Sequence, residues 1–517
     1  MPAEVDLSTA SAVGIVVPQS MTAWPEFGLQ GTFRISEGAG AAVIRLLGDG
    51  APLVTITLPT PDGNRWKDVG AHGQFAAWSW EVVSITGGAT VYCRMTANSA
   101  HSPIVARSLA GLGASFASRA LKARRNPICV PYSRVNSTTF AVDAANGNTF
   151  HDVFELAAPA YRVRPIFAHG KAAATLTIAS CKVSCPASLT QLDSTSGNWT
   201  TVTLPSGGVL PVAPTDIQRR GMLVGDWTDL VNHNNSRFVA VRSHIAAGAG
   251  SITIGSTDTD LTSWASRTDG RSRLNYNQAV DGVTTLANFT SNTPSYRSLC
   301  IGVQYQTIDS VITIMKGGDS IDAGRNSAYK EESFWDYGAI LAAADAGVKI
   351  EIANFAFAST DYNNYPYHIS DACVLGLVPD IACFTAGSPN GISSAITDAN
   401  LRAFQKATVL QMDACRTYGI EPVLRTWIPS DSPTWGGSGS EAYGLDDAKR
   451  IAWNNRIRAT KTLVADVDAV VYGGTDVTGQ AYIVPEYTTD HIHLNQAGCN
   501  ASTPVSRNAI RQAIFRV

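Results

Sequence analysis

The chain has 517 residues, too many for one core; at roughly 150 residues per domain it predicts two to four folded units, and we expect three. With 45% hydrophobic and 16% charged residues the composition is that of a folded protein, and a net charge of −3 gives no electrostatic reason to expect a nucleic-acid partner. No window approaches the 18 or so apolar residues of a membrane helix, and the opening MPAEVDLSTASAVG lacks a basic stretch followed by an apolar one, so neither a membrane span nor a secretory leader is expected.

Residues 1–125 read as a β-rich domain ending in a short linker helix. AAVIRLLGDGAPLVTITL predicts a hairpin around Gly48-Asp49-Gly50, and WSWEVVSITGGATVYCRM predicts another around Gly87-Gly88. ASFASRALKARR then predicts a short helix before Pro127.

Residues 126–308 predict a β-sandwich or jelly-roll-like domain, with strands in YRVRPIFA, AATLTIASCKVS, GNWTTVTL, GGVLPV, RRGMLVGDW, SRFVAVRSHI, GSITIGS and SLCIGVQYQT. Trp199, Trp227, Trp264, Tyr276 and Tyr296 are available to stack on sugar rings, though core packing is the commoner fate of such residues. The nine cysteines are sparse and odd in number, which predicts free thiols. Cys181 and Cys185 on one strand would stand roughly 13 Å apart, too far to bond.

From 309 to 517 strands alternate with helices. VITIM, VKIEIANFAF, PDIACFTAG, EPVLRTWI and DAVVYGG predict strands; SAYKEESFWDYGAILAAADAG, TDANLRAFQKATVLQMDACRTYG, LDDAKRIAWNNRIRATKTLV and SRNAIRQAIF predict helices. Such alternation implies right-handed crossovers, a parallel sheet covered on both faces, and chemistry beyond the carboxyl ends of the strands.

The polar motifs fall at those ends. Lys316-Gly317-Gly318-Asp319-Ser320 places a serine at a tight strand-to-helix turn, where glycines permit the bend and N–H groups face developing negative charge. Just before the last helix stands Asp490-His491-Ile492-His493. An Asp three residues before a His on a loop can hold its Nδ1 proton and leave Nε2 to take a proton from a serine. Taken separately, each motif has an ordinary structural explanation, a turn or cap serine and a loop hydrogen bond.

Together the two motifs resemble the SGNH (GDSL-type) hydrolase family over residues 311–517. The family's serine block matches Gly318, Asp319 and Ser320, and its Asp-x-x-His block matches Asp490 and His493. The resemblance implies an α/β flavodoxin-like three-layer domain with a parallel sheet, following all-β domains. It also implies Ser320 as nucleophile, His493 as general base and Asp490 as its orienting acid. Its oxyanion hole would use Ser320, Asn390 from Ala386-Gly387-Ser388-Pro389-Asn390-Gly391, and Ser359, where this chain lacks the family's block glycine. Asp319 is expected to stabilise the turn, and His491 to be structural or to line the cleft. Arg425, Trp427 and Trp435 are expected at the same edge as substrate contacts. A His-x-His zinc site would need further ligands at recognisable spacing, so no metal or cofactor is expected.

The combination of strand-rich domains with this hydrolase domain is also similar to bacteriophage tail-spike and tail-fibre deacetylases. That resemblance implies an acetylated surface polysaccharide as substrate, action from a virion tail, other tail proteins as partners and a homotrimer. A free bacterial esterase or lipase, or a non-catalytic polysaccharide-binding tail protein, are the alternatives.

Overall fold

The computed structural model describes strand backbones between Glu4 and Ala97 and, from Arg125 onward, all but residues 132–135, 169–175, 192–197, 211–220, 232–235, 257–272, 291–296, 328–331, 358–359, 391–395, 431–446, 461 and 476–480. Two compact units are present, Met1–Arg124 with Arg516–Val517, and Arg125–Phe515.

In the first unit the described elements are strands in two antiparallel sheets. Ala42–Gly48 pairs with Ala51–Leu58, as the Gly48-Asp49-Gly50 turn predicts. The hairpin expected at Gly87-Gly88 does not form. Trp78–Ile85 pairs with Ala42–Gly48, whereas Thr90–Ala97 pairs with Leu29–Glu37 in the other sheet. Gly87 and Gly88 themselves lie outside the described residues. The expected helix at 114–125 lies outside the described residues, Arg125 apart.

The second unit opens with two antiparallel sheets that share an apolar core including Phe150, Val163, Phe167, Val241 and Val303. One sheet is centred on β1 (Asn148–Glu155), which the sequence reading passed over, and contains β5 (Phe238–Ile245). The other is centred on β2 (Arg162–Ala168), which pairs with β3 (Met222–Val224), β4 (Thr228–Asp229) and β6 (Cys300–Gln306). The polar His151 and Asp152 obscured β1. Both are fully buried, Asp152 against Arg273 at 3.1 Å and His151 accepting from Arg242 Nε at 3.0 Å. Cys181 and Cys185 are free thiols.

The α/β sheet follows: β7 (Val311–Lys316), β8 (Lys349–Asn354), β9 (Ile381–Thr385), β10 (Glu421–Arg425) and β11 (Leu463–Ala465), all parallel, in spatial order β8-β7-β9-β10-β11. This is the flavodoxin-like 2-1-3-4-5 order, whose switch point falls beside β7. α1 (Ser320–Ala323) and α2 (Phe334–Ala346) follow β7, α3 (Tyr367–Val374) follows β8, and α4 (Asp398–Tyr418) follows β9. α5 (Asp447–Arg458), α6 (Val467–Val471) and α7 (Gln496–Ile514) complete the unit. Because β7→β8 and β8→β9 step in opposite directions, right-handed crossovers put α2 and α3 on opposite faces.

Capping explains the helix limits. α2 starts at a Ser333/Asp336 capping box rather than at residue 327, and ends at Gly347 with φ 62°. The fifth strand is Leu463–Ala465, overlapping the last two residues of the expected helix, while the expected strand DAVVYGG divides into α6 and a short strand, Tyr472–Thr475, paired with Ala481–Ile483. α7 runs through Pro504 from Asn495, its N-cap, so it starts earlier than SRNAIRQAIF indicated.

The expected division at 308/309 is not a division between compact units. Ile128–Cys129 pairs with β6, while the next residue, Val130, bridges Ala353 on the outer edge of β8. Val130 N–H donates to the Ile352 carbonyl at 3.2 Å, and Asn354 N–H donates to the Val130 carbonyl at 2.9 Å. Glu351, buried in β8, accepts from Tyr305 Oη at 2.7 Å and from the Ala157 N–H at 2.6 Å. One cluster of buried apolar residues then joins Ile128, Val130, Ile166 and Ile301 to Met315, Phe384 and Leu424.

Candidate active site

β7 ends at Lys316, and the chain turns through Gly317 and Gly318 so that Ser320 is the first residue of α1. Position 318 requires glycine: its φ is 136°, and a Cβ there would lie 2.2 Å from Asp322 Oδ2. Asp319 caps the turn, Oδ1 accepting from the Ile321 N–H at 2.9 Å and the Asp322 N–H at 3.4 Å. The Gly318 carbonyl accepts from the Phe357 N–H at 3.1 Å and the Thr360 hydroxyl at 3.0 Å, and the Gly318 N–H donates to His368 Nδ1 at 3.4 Å. The serine turn is thus fixed from several sides.

Against it stands the loop before α7. Thr488 bridges Leu494 across a tight turn in which His491 takes a left-handed conformation, φ 65°. This folds Asp490 back onto His493. Ser320 Oγ lies 2.7 Å from His493 Nε2, and His493 Nδ1 lies 2.7 Å from Asp490 Oδ2. With Nδ1 donating to the carboxylate, Nε2 is the acceptor that faces the serine hydroxyl. Ser320 and His493 are nearly covered, at 4% and 7% exposure.

Asp490 is surrounded by donors. Oδ1 accepts the N–H groups of His493 at 2.8 Å and Ile492 at 3.1 Å, and Oδ2 also accepts the Asn326 side-chain amide at 2.8 Å. Burial opposes its charge, but the bonds from His493 and these N–H groups prevail and hold the carboxyl well below the usual carboxylate range.

A charged cluster lies behind the serine turn. Arg425 forks onto Asp322, Nε to Oδ1 and Nη2 to Oδ2, each at 3.0 Å, with Asp319 Oδ1 at 3.7 Å; Trp335 Nε1 donates to Asp322 Oδ1 at 2.9 Å. Burial, then the neighbouring Asp322 charge, raise the Asp319 carboxyl to about 6 despite Arg425 and the Ser388 hydroxyl.

Two of the expected oxyanion-hole residues lie among the described residues. The Ser320 N–H has no partner among the described residues. Asn390 Nδ2 donates once, to the Thr360 carbonyl at 3.0 Å, which ties it to the residue clamping Gly318 and leaves its second N–H for a ligand. Ser359 and Trp435 lie outside the described residues.

No family model matches the chain, and no curated relative matches it. Solved structures similar to part of it include a lipase/acylhydrolase from Enterococcus faecalis, 17% identical over 39% of this chain and 96% of that one, TM-score 0.29. A GDSL-like lipase from Bacteroides thetaiotaomicron is 16% identical over 40% and 87%, TM-score 0.27. An acetyl xylan esterase is 17% identical over 39% and 99%, TM-score 0.28.

Two expected substrate contacts are corrected. Arg425 is fully buried, held by the paired carboxylates, and cannot line a cleft. Trp427 is also fully buried, its ring 4.4 Å from that of Phe404 and so close to Gly387 that a Cβ there would lie 2.5 Å away. Both follow from β10 being an inner strand, which covers the residues at its end. Of the aromatics suggested for sugar stacking, Tyr276 is buried with Phe289, Trp199 lies under Arg242 at 4.7 Å, and Trp264 and Tyr296 lie outside the described residues.

Asn326, Thr360 and His368 were missed. Asn326, at φ 71°, left one trace, since asparagine is among the residues that tolerate the left-handed region. The other two act through contacts distant in sequence.

Proposed function

We propose that the chain is a serine ester hydrolase, and the observation that carries this reading is the continuous Ser320–His493–Asp490 relay. Ser320 Oγ attacks the ester carbonyl as His493 Nε2 takes its proton. The Ser320 N–H and the Asn390 amide receive the oxyanion. Collapse breaks the ester C–O bond, and the imidazolium gives its proton to the departing alcohol. Water then repeats the sequence on the acyl-serine, releasing the acid and regenerating Ser320. Asp490 stays ionised throughout and orients the imidazole.

The substrate we propose is a short acyl ester, chiefly acetyl, on a polysaccharide whose backbone stays uncut. Support comes from the exposed Asn363 and the part-exposed Asp361 and Tyr367, polar and aromatic groups that match sugar hydroxyls and ring faces, and from the sandwich fused to the catalytic sheet. Two strand-bearing regions ahead of the hydrolase fit a virion-tail deacetylase that assembles as a trimer; a monomer by light scattering would remove the assembly part alone. The deciding assay compares p-nitrophenyl acetate, butyrate and octanoate, then follows acetylated glycans by NMR. Falling kcat/KM with chain length and acetate release from intact glycan are expected; preference for octanoate would overturn the substrate class.

A further inference from the structure

We propose that the second unit carries a neutral-saccharide site remote from Ser320, in the cavity walled by Trp227, Arg164 and Asp226. This rests on the reading that the substrate is a glycan, and it assigns that glycan a second point of attachment.

The cavity measures about 410 Å³, within the ~300–1,000 Å³ of ligand pockets. Arg164 of β2 and Met222–Val224 of β3 line it, and one wall is the turn from β3 to β4, both of which pair with β2. That turn is rigid. The Gly225 N–H donates to the Pro165 carbonyl and the Asp226 N–H to the Thr203 carbonyl, both at 2.9 Å, and a Cβ on Gly225 would meet Val202 and Pro165 at 2.9 and 3.0 Å. The turn presents the half-buried Trp227 and the exposed Asp226.

Arg164 is set across from them. Its guanidinium carbon lies 5.0 Å from the Trp227 ring centroid; Nε donates to Gln304 Oε1 at 2.6 Å, and Nη2 to the Leu375 and Gly376 carbonyls at 3.3 and 3.1 Å. Nη1 has no hydrogen-bond partner among the described residues, nor has the Asp226 carboxylate, whose charge is felt by Arg164. The cavity therefore offers a half-buried indole with Arg164 over one face, a fixed cationic donor and an exposed anionic acceptor. Hydroxyl-rich rings use all three, because each hydroxyl both donates and accepts and the ring's C–H face packs on indole. The opposed charges disfavour an anionic ligand, which Asp226 would repel.

Leu375 closes the cavity just past the end of α3, whose other end, at His368, holds the serine turn. The eight residues of α3, roughly 12 Å long, separate Leu375 from His368.

The test uses the full chain carrying Ser320→Ala, titrated calorimetrically with xylohexaose, cellohexaose, chitohexaose and maltohexaose. At least one should bind with Kd of about 1 mM or below, and Trp227→Ala or Asp226→Asn should weaken it about tenfold or more. Should Trp227→Ala misfold, Trp227→Phe keeps a ring face and Asp226→Asn still reads the site. No binding by any hexasaccharide, binding unchanged in both variants, or preferential binding of oligogalacturonate would overturn the site. Wild-type turnover of p-nitrophenyl acetate tests the enzyme reading separately. Turnover with variant-insensitive binding loses only the cavity; variant-sensitive binding without turnover loses only the esterase.

Discussion

Asn326 Nδ2 donates to Asp490 Oδ2, the same oxygen that receives Nδ1 of His493, at 2.8 Å beside 2.7 Å. A neutral amide thereby fixes the carboxylate on the side away from the backbone N–H groups, and the imidazole inherits its orientation. Asn326→Gly keeps the left-handed backbone and removes only the amide. It should lower kcat roughly 3- to 30-fold at constant KM, the size of one or two kcal/mol of lost positioning. Unchanged kcat would make Asn326 merely structural.

Ser320→Ala should leave the circular dichroism spectrum intact and reduce turnover of p-nitrophenyl acetate by roughly 10³–10⁶. More than a tenth of wild-type kcat in that variant would remove the serine from the chemistry.

The neighbouring histidines should separate sharply. Among the described residues His493 bonds both Ser320 and Asp490, so His493→Ala should be nearly inactive and His491→Ala should retain substantial activity.

Arg425→Met should destabilise the protein by roughly 3–5 kcal/mol, because Asp319 and Asp322 would be left buried without their counter-charge. Thermal melting checks this. A variant with wild-type stability and raised KM would instead return Arg425 to the cleft.

Asp319 sets a pH dependence of opposite sign to that of Asp490. Its folded carboxyl is raised to about 6, so its contribution to stability is complete below the unfolded value near 4 and is lost as pH rises toward about 6. Asp490 gains its contribution as pH climbs toward about 4, a separate window. Asp319→Asn can still cap the turn, and it should flatten the decline in melting temperature between about pH 4 and 6. An unaltered slope would show that another group titrates there.

The α/β region was legible because its signals are local. Glycines precede Ser320, Asp490 stands three residues before His493, and strands alternate with helices. Arg425 and Trp427 were misjudged because position at a strand end was taken as exposure, whereas an inner strand buries its end under neighbouring loops. β1 was overlooked because His151 and Asp152 read as surface residues, and their burial depends on Arg242 and Arg273, partners far along the chain. The strand at Leu463–Ala465 is three residues long and was absorbed into the helical pattern before it.

The short stretch Ile128–Val130, hydrogen-bonded to β6 on one side and β8 on the other, bears on how this chain can be cut. An expression clone beginning at 309 would follow the apparent module boundary, yet it would strip the parallel sheet of its outermost hydrogen-bonding neighbour and expose β8 to self-association. Glu351 would lose Tyr305 at the same stroke. A clone beginning at Arg125 keeps both. For grafting or shuffling, sandwich and parallel sheet are therefore a single heritable cassette.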